Sequence, residues 1–443
     1  MSKRRIDWTR LPGDKRAAAL DATRLLAQSI EPITCAFVEM EPPRIGVPRG
    51  ALAHLPYVAS DMFALPGRAP TCGLAAAPAG LVSGDATAPA RLDTAGAARI
   101  GLGEMAALGL DASGCNALRE RPRNPWDPEF ITGGASSGAT VAVASGAASI
   151  ALGADRFGDV RIAAQCLGLT AWKPTRGLVA SDGALSLSPS HDVIALAATS
   201  AAELERVGPA LLDREPAATL PVERVVVFAD VLAAAELRVR KACSDGLDAL
   251  ELAGLALERR PGRDAIAAVE RRTGLVFAGE VARSLKALLA DARLPPALRS
   301  RIAPGLSITN EQLGAAIRDH RRLMKDLVDA FFAIAGAIAL PVMGVRTPPI
   351  SECDVTSPGY LQGTSDALIA LTRFVNYLGL PAAAVPVGRD DRGLPVALQI
   401  VGRPGCDAAL LAMAVRMQEK SQWHGQLPAA VADIVASAPE IAG

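Results

Sequence analysis

The chain has 443 residues, half of them hydrophobic and only 4% aromatic, and its 46 Lys plus Arg balance 46 Asp plus Glu. Zero formal net charge and the lack of a basic, aromatic-laced run argue against nucleic acid as a partner, and no apolar run reaches the length of a membrane span. Seven scattered cysteines (35, 72, 115, 166, 243, 353, 406) never form CxxC, and the four histidines form no HxxxH or HxH pair, which argues against a structural zinc or histidine-based metal site and for a reducing, cytoplasmic setting.

The start, MSKRRIDWTRLPGDKR, is basic but lacks the apolar core of a signal peptide. Residues 13–30 place Leu20, Leu25, Leu26 and Ile30 at helical spacing. A Pro-rich passage around 42–56 opens a loop-like region to about 75, and 86–108 reads as helix, short strand (ARIGLG) and helix start. RPRNPWDPE, with three prolines in nine residues, is an extended loop. Almost pure Ala, Val, Gly and Ser over 138–149 predicts a buried helix tight against a sheet, and SIALGAD a buried strand after it. VERVVVFAD is a further strand; 231–340 is mainly helical, broken at 261–262, 295–296 and 304–309. AIALPVMG, PAAAVPVG and LPVALQIVG read as strands around a helix near 363–378, and a last helix covers 406–420. The pattern predicts one α/β domain over 1–443, with an N-terminal helical segment over about 1–45 and a mainly helical insert over about 231–335.

Residues 133–146, GGASSGATVAVASG, form a Gly/Ser loop running into a helix, where free backbone N–H groups suit a phosphate or an oxyanion. No GK[ST] follows and the spacing is not GxGxxG, so neither nucleotide motif is present. A tight turn before a buried helix accounts for the loop alone equally well.

GGASSGATVAVASG, ALGADRFGDVRIAAQCLGLTAWKPTRGLV, SPSHD, RFVNYLGLPAAAVPVG and GLPVALQIVGRPGCDAALL follow in one order, with PYVASDMFALPGRAPTCG, GAARIGLGEM and PRNPWDPE before them. Together these motifs resemble the amidase signature family. The resemblance implies a mixed, twisted β-sheet flanked by α-helices and amide chemistry through a serine–serine–lysine triad. It also implies no metal or organic cofactor, and a homodimer. In such a triad a buried neutral lysine is the base, one serine relays the proton and a second attacks the carbonyl.

Laid on those motifs, the chain departs from the triad at every catalytic position. The nucleophile position holds Asp159, the relay-serine position Ala135, and the lysine position Ser60; a second family lysine is Leu102. Gly133, Gly134, Ser136, Ser137, Arg156, Phe157, Gly158 and His191 are left as candidate pocket residues. Asp155 and Arg161 match supporting positions, and Cys166 reads as a packing residue.

Two readings of Asp159 stay open. Backbone N–H groups that once faced an oxyanion would hold its carboxylate ionised with a lowered pKa, leaving a decayed site. Alternatively, Asp159 with His191 or Arg156 serves a rebuilt site that binds an amine- or amide-bearing small molecule or acts as a general base, unless Arg156 pairs with it and plugs the cavity. The expectation is a pseudoenzyme that binds a ligand or a protein partner, with a rebuilt amide hydrolase as the alternative.

Overall fold

The computed structural model describes residues 6–45, 50–213, 222–291, 294–332, 334–421 and 423–437. The first five residues of the basic N-terminal stretch lie outside them. Eleven strands form one sheet in the order β1-β3-β2-β4-β6-β5-β10-β11-β9-β7-β8. They are β1 (Phe37–Ile45), β2 (Pro56–Ser60), β3 (Ala98–Gly103), β4 (Ile150–Asp155), β5 (Thr170–Lys173), β6 (Val193–Ala198), β7 (Arg224–Phe228), β8 (Ala256–Arg260), β9 (Ala337–Pro341), β10 (Ala382–Arg389) and β11 (Pro395–Gly402). The pairs β2·β3, β2·β4, β7·β8 and β7·β9 are parallel and the rest antiparallel, so the sheet is mixed as expected.

Helices cover both faces because the central strands are apolar on both. Along β7, Val225 and Val227 pack with the helices Leu237–Leu252 and Asp407–Ser421, whereas Val226 and Phe228 join a separate core with Phe332 and Phe374. Alternate side chains thus serve opposite layers, the period of a pleated strand. The Ala/Val helix is Ser137–Ala144 and is wholly buried. Its closeness to the sheet depends on missing side chains: a Cβ on Gly103 would sit 2.3 Å from the Ala139 nitrogen. This is the tight helix-on-sheet packing that the composition implied.

Five strands stand where no clear sequence signal marks them, among them β2, in the stretch read as loop-like, and β1, in the N-terminal segment read as helical. Edge strand β1 carries Pro42 and Pro43, which an edge tolerates because its outward N–H groups need no partner; its pairing with β3 shifts register between Met40 and Arg44. β8, with sequence ALERR, is the opposite edge and lies inside the segment read as mainly helical. β5, with sequence TAWK, and β6, with sequence VIALAA, are short strands in the sheet centre. Beyond the helix Asp407–Ser421 a further one spans Ala429–Ser437.

Candidate functional site

The Gly/Ser loop lies across the C-terminal end of β4. Its backbone is pinned from outside: the N–H groups of Gly133 and Gly134 donate to the carbonyls of Ser113 and Ala112, and the Ala106 N–H donates to the Ala135 carbonyl. The Ser136 hydroxyl accepts from the Ala154 N–H at 3.4 Å. Both loop glycines have φ near +70°, and a Cβ on Gly134 would fall 2.0 Å from the Asp159 carbonyl oxygen. Gly134→Ala therefore combines a left-handed backbone with a clash. It is expected to lower stability by about 2 kcal/mol, read as a drop in denaturant midpoint at unchanged slope.

After β4 the chain turns through Arg156, Phe157 and Gly158 into the helix Asp159–Leu167. Gly158, with φ 118°, makes the turn, and Asp159 is the first helical residue. Its carboxylate accepts the Ala135 N–H at 3.3 Å and the Arg156 N–H at 2.8 Å, and the side chain is fully buried. Asp159 and Ala135 are thus brought into contact. Ser60, also fully buried at the end of β2, bonds to neither: its hydroxyl has no hydrogen-bond partner among the described residues, and nor has that of Ser137.

Two expectations about Asp159 need correction. Its pKa is raised to about 7 rather than lowered, because burial and the charge of Asp155 outweigh the Arg156 charge and the two N–H donors. Nor does the Arg156 guanidinium plug the site. It turns away to Asp192 (3.0 Å) and to the carbonyls of Leu185 and Gly109, so Arg156 hydrogen-bonds Asp159 through its backbone alone.

Beneath the loop is a buried polar knot. Arg161 pairs bidentately with Asp155 at 2.9 and 3.0 Å and donates to the Gln399 side-chain oxygen, the Thr372 carbonyl and the Asn376 side-chain oxygen. Asn376 donates to Asp155 in turn. Burial raises the Asp155 pKa, but the Arg161 charge and hydrogen bonds exceed that effect and the net shift is downward. Lys173, fully buried, donates to the Leu380 carbonyl at 2.7 Å, and burial together with Arg161 brings its pKa down to about 7. Arg161→Ala would strand the Asp155 charge in the core, an expected loss of roughly 3 kcal/mol that Arg161→Lys should not recover, checked by urea unfolding.

Thr372, Asn376, Gln399 and Lys173 were not singled out from sequence. Asn376, Gln399 and Lys173 are polar residues inside apolar stretches of motifs quoted above, and that incongruity was the available signal; Thr372 falls just ahead of one of them. Phe157 contributes one wall of a pocket of about 230 Å³, with Phe277, Arg301, Arg373 and Asp111. Asp159 does not line it. His191 is fully buried, 2.8 Å from the Ser188 hydroxyl through Nδ1 and edge-on to Phe277. No group of three or more His, Cys, Asp or Glu poised for a metal occurs among the described residues, and no helix there is long and apolar enough to cross a membrane.

A mixed sheet between helical layers, with a glycine-rich loop folded over the end of a central strand, defines an α/β protein with its loop-built site at a strand end. It superposes on a solved amidase with a TM-score of 0.81 at 26% identity, covering 92% of this chain and 96% of that one. The chain belongs to the amidase family, whose profile matches residues 40–240 and 264–411. It is 30% identical over 389 residues to a fatty acid amide hydrolase of Medicago truncatula, covering 80% of this chain and 62% of that protein. It thus spans less than two thirds of that relative's length. With a glutamyl-tRNA(Gln) amidotransferase subunit of Thiobacillus denitrificans it shares 26% identity over 486 residues, 94% of this chain and 97% of the relative.

Proposed function

We propose that this amidase-family chain does not hydrolyse amides through a serine nucleophile and works by binding, taking a small ligand in the Phe157 pocket or docking on a protein partner. One observation carries the reading. The Asp159 carboxylate, at the position the family resemblance gives to the nucleophile, is itself the acceptor of the Ala135 and Arg156 N–H groups, so a substrate oxyanion would find those donors taken. Its complete burial keeps it from meeting a ligand in the pocket. A partner role draws support from the relative that is one subunit of an amidotransferase.

A second reading has its own support. A carboxyl with a pKa of about 7 suits a general base, and a rebuilt amide hydrolase using Asp159 would need one. The deciding experiment is ammonia release from a panel of aliphatic and aromatic carboxamides by the purified protein. Silence with retained amide binding supports the first reading. Turnover that disappears in Asp159→Ala sinks it in favour of the second.

A further inference from the structure

A polar chain behind the pocket has no part in the reading above. Glu280, on the helix Arg263–Ser284, accepts from the Ser188 hydroxyl at 2.6 Å, the Ser190 hydroxyl at 2.7 Å and the Ser190 N–H at 3.1 Å. The Ser188 oxygen lies 2.8 Å from His191 Nδ1. A hydroxyl has one proton, and here it is committed to a carboxylate that has none to return when ionised. The contact with His191 then requires the imidazole proton on Nδ1, which leaves Nε2 a bare lone pair. That atom is buried and has no hydrogen-bond partner among the described residues. Burial, then the positive charges of Arg176 and Arg373, holds the ring's pKa well below its ordinary value, so it stays neutral.

Phe277 stands one helical turn before Glu280, on the same helix face. Its ring meets His191 edge-on at 5.4 Å between centroids and Phe157 edge-on at 5.6 Å. Phe157 and Phe277 both line the pocket, so the Phe277 ring is in contact with the pocket and with the imidazole, whose other ring neighbour is Tyr377 at 5.5 Å. The Phe277 ring is half-buried at the edge of the main core, so swinging it aside takes a change of rotamer there.

We propose that Glu280, Ser188 and His191 form a carboxylate–hydroxyl–imidazole relay that holds Nε2 as a hydrogen-bond acceptor for a neutral carboxamide or lactam N–H, reached from the pocket when Phe277 swings aside. This rests on the ligand-binding reading of that pocket. The ligand class follows from the charges. In the pocket Arg301 and Arg373 stand against Asp111 and Asp366, with Arg301 paired to Asp111 and Arg373 to Glu270, so the lining offers no unbalanced charge to attract a charged ligand, and a carboxylate would also bring a negative charge against a lone pair. A neutral N–H donor satisfies the one atom left unpaired.

The test uses the whole chain and two readouts besides activity. Long-range proton–nitrogen NMR of the four histidines should find His191 as the Nδ1–H tautomer, and Ser188→Ala should remove that preference. Acylation by diethyl pyrocarbonate, located by peptide mass spectrometry, should be slow at His191 in the wild type. Phe277→Ala should speed it on the order of tenfold by opening the burial, and Phe277→Leu, a gentler change, by less. Benzamide should slow that acylation again. An Nε2–H tautomer, rates unmoved by both Phe277 substitutions, or benzamide that binds without shielding His191 would each overturn the proposal. Failure of benzamide to bind at all, with the tautomer and gating results intact, would instead overturn the ligand reading of the pocket and the amide class named here.

Discussion

Ammonia release from benzamide or acetamide is expected to match buffer for the wild-type protein and for each single reversion, and to rise only when Ser60→Lys, Ala135→Ser and Asp159→Ser are combined. The reason is cooperative chemistry. A serine hydroxyl without a base in reach keeps its proton at neutral pH, so Asp159→Ser alone gains a nucleophile that cannot attack. Triad members act as a unit, and losing one costs nearly as much as losing all, so restoring one returns nearly nothing. Asp159→Ser also frees the Ala135 and Arg156 N–H groups to receive an oxyanion. The combined variant should then exceed buffer by roughly 10³-fold or more. Ser60 is fully buried beside Asp61, which is held by Arg68 and Thr71, so the new lysine must enter a packed strand end. Melting curves decide whether a silent triple variant is folded. A folded triple variant no faster than wild type would overturn the view that the triad positions alone separate this chain from hydrolysis.

The second large effect is on stability against pH. Asp159 has a folded-state pKa of about 7 against 3.8 for the unfolded chain, so between those values the native state binds more protons. Stability then falls as pH rises through that window, and the cost above pH 7 approaches about 4 kcal/mol for a shift of this size. Asp159→Asn removes the charge and keeps the shape, although its amide nitrogen cannot accept the second N–H. At pH 4 the variant should be the less stable of the two, by the lost hydrogen bond. Between pH 4 and 8 the difference should move in the variant's favour by about 4 kcal/mol. Urea titrations at both pH values read this directly. A difference that does not change with pH would mean that Asp159 is ionised throughout, as a carboxylate held only by N–H donors would be.

What could be read from sequence follows from what each residue must do. The largely apolar runs at 150–155, 224–228, 382–389 and 395–402 announced interior strands because burial on both faces favours apolar residues at successive positions. Edge strands β1 and β8 escaped because an edge accepts proline and charge. The motifs brought the loop and Asp159 to one place and drew attention to Arg161, but not to the partners that surround it. Two further things were not legible. The direction of the Arg156 side chain depends on Asp192 and on carbonyls from remote loops. The Asp159 pKa is a contest between donors and burial, and only the donors can be guessed from a loop motif. Glu280 and Phe277 lay in the helical segment, where no motif marks them.

The Arg161 knot also bears on how the chain is made. Arg161 and its Gln399 partner are 238 residues apart, and Asn376 is 215 away. Contacts this remote fold slowly, since the intervening loop must close before they gain anything. On the ribosome, the strand and helix carrying Asp155 and Arg161 emerge long before Asn376 and Gln399 exist. Until Gln399 is released, the Asp155–Arg161 pair can form but lacks the partners and the cover that make its burial affordable. The central strands must therefore wait, open-edged and in need of protection, for their C-terminal neighbours.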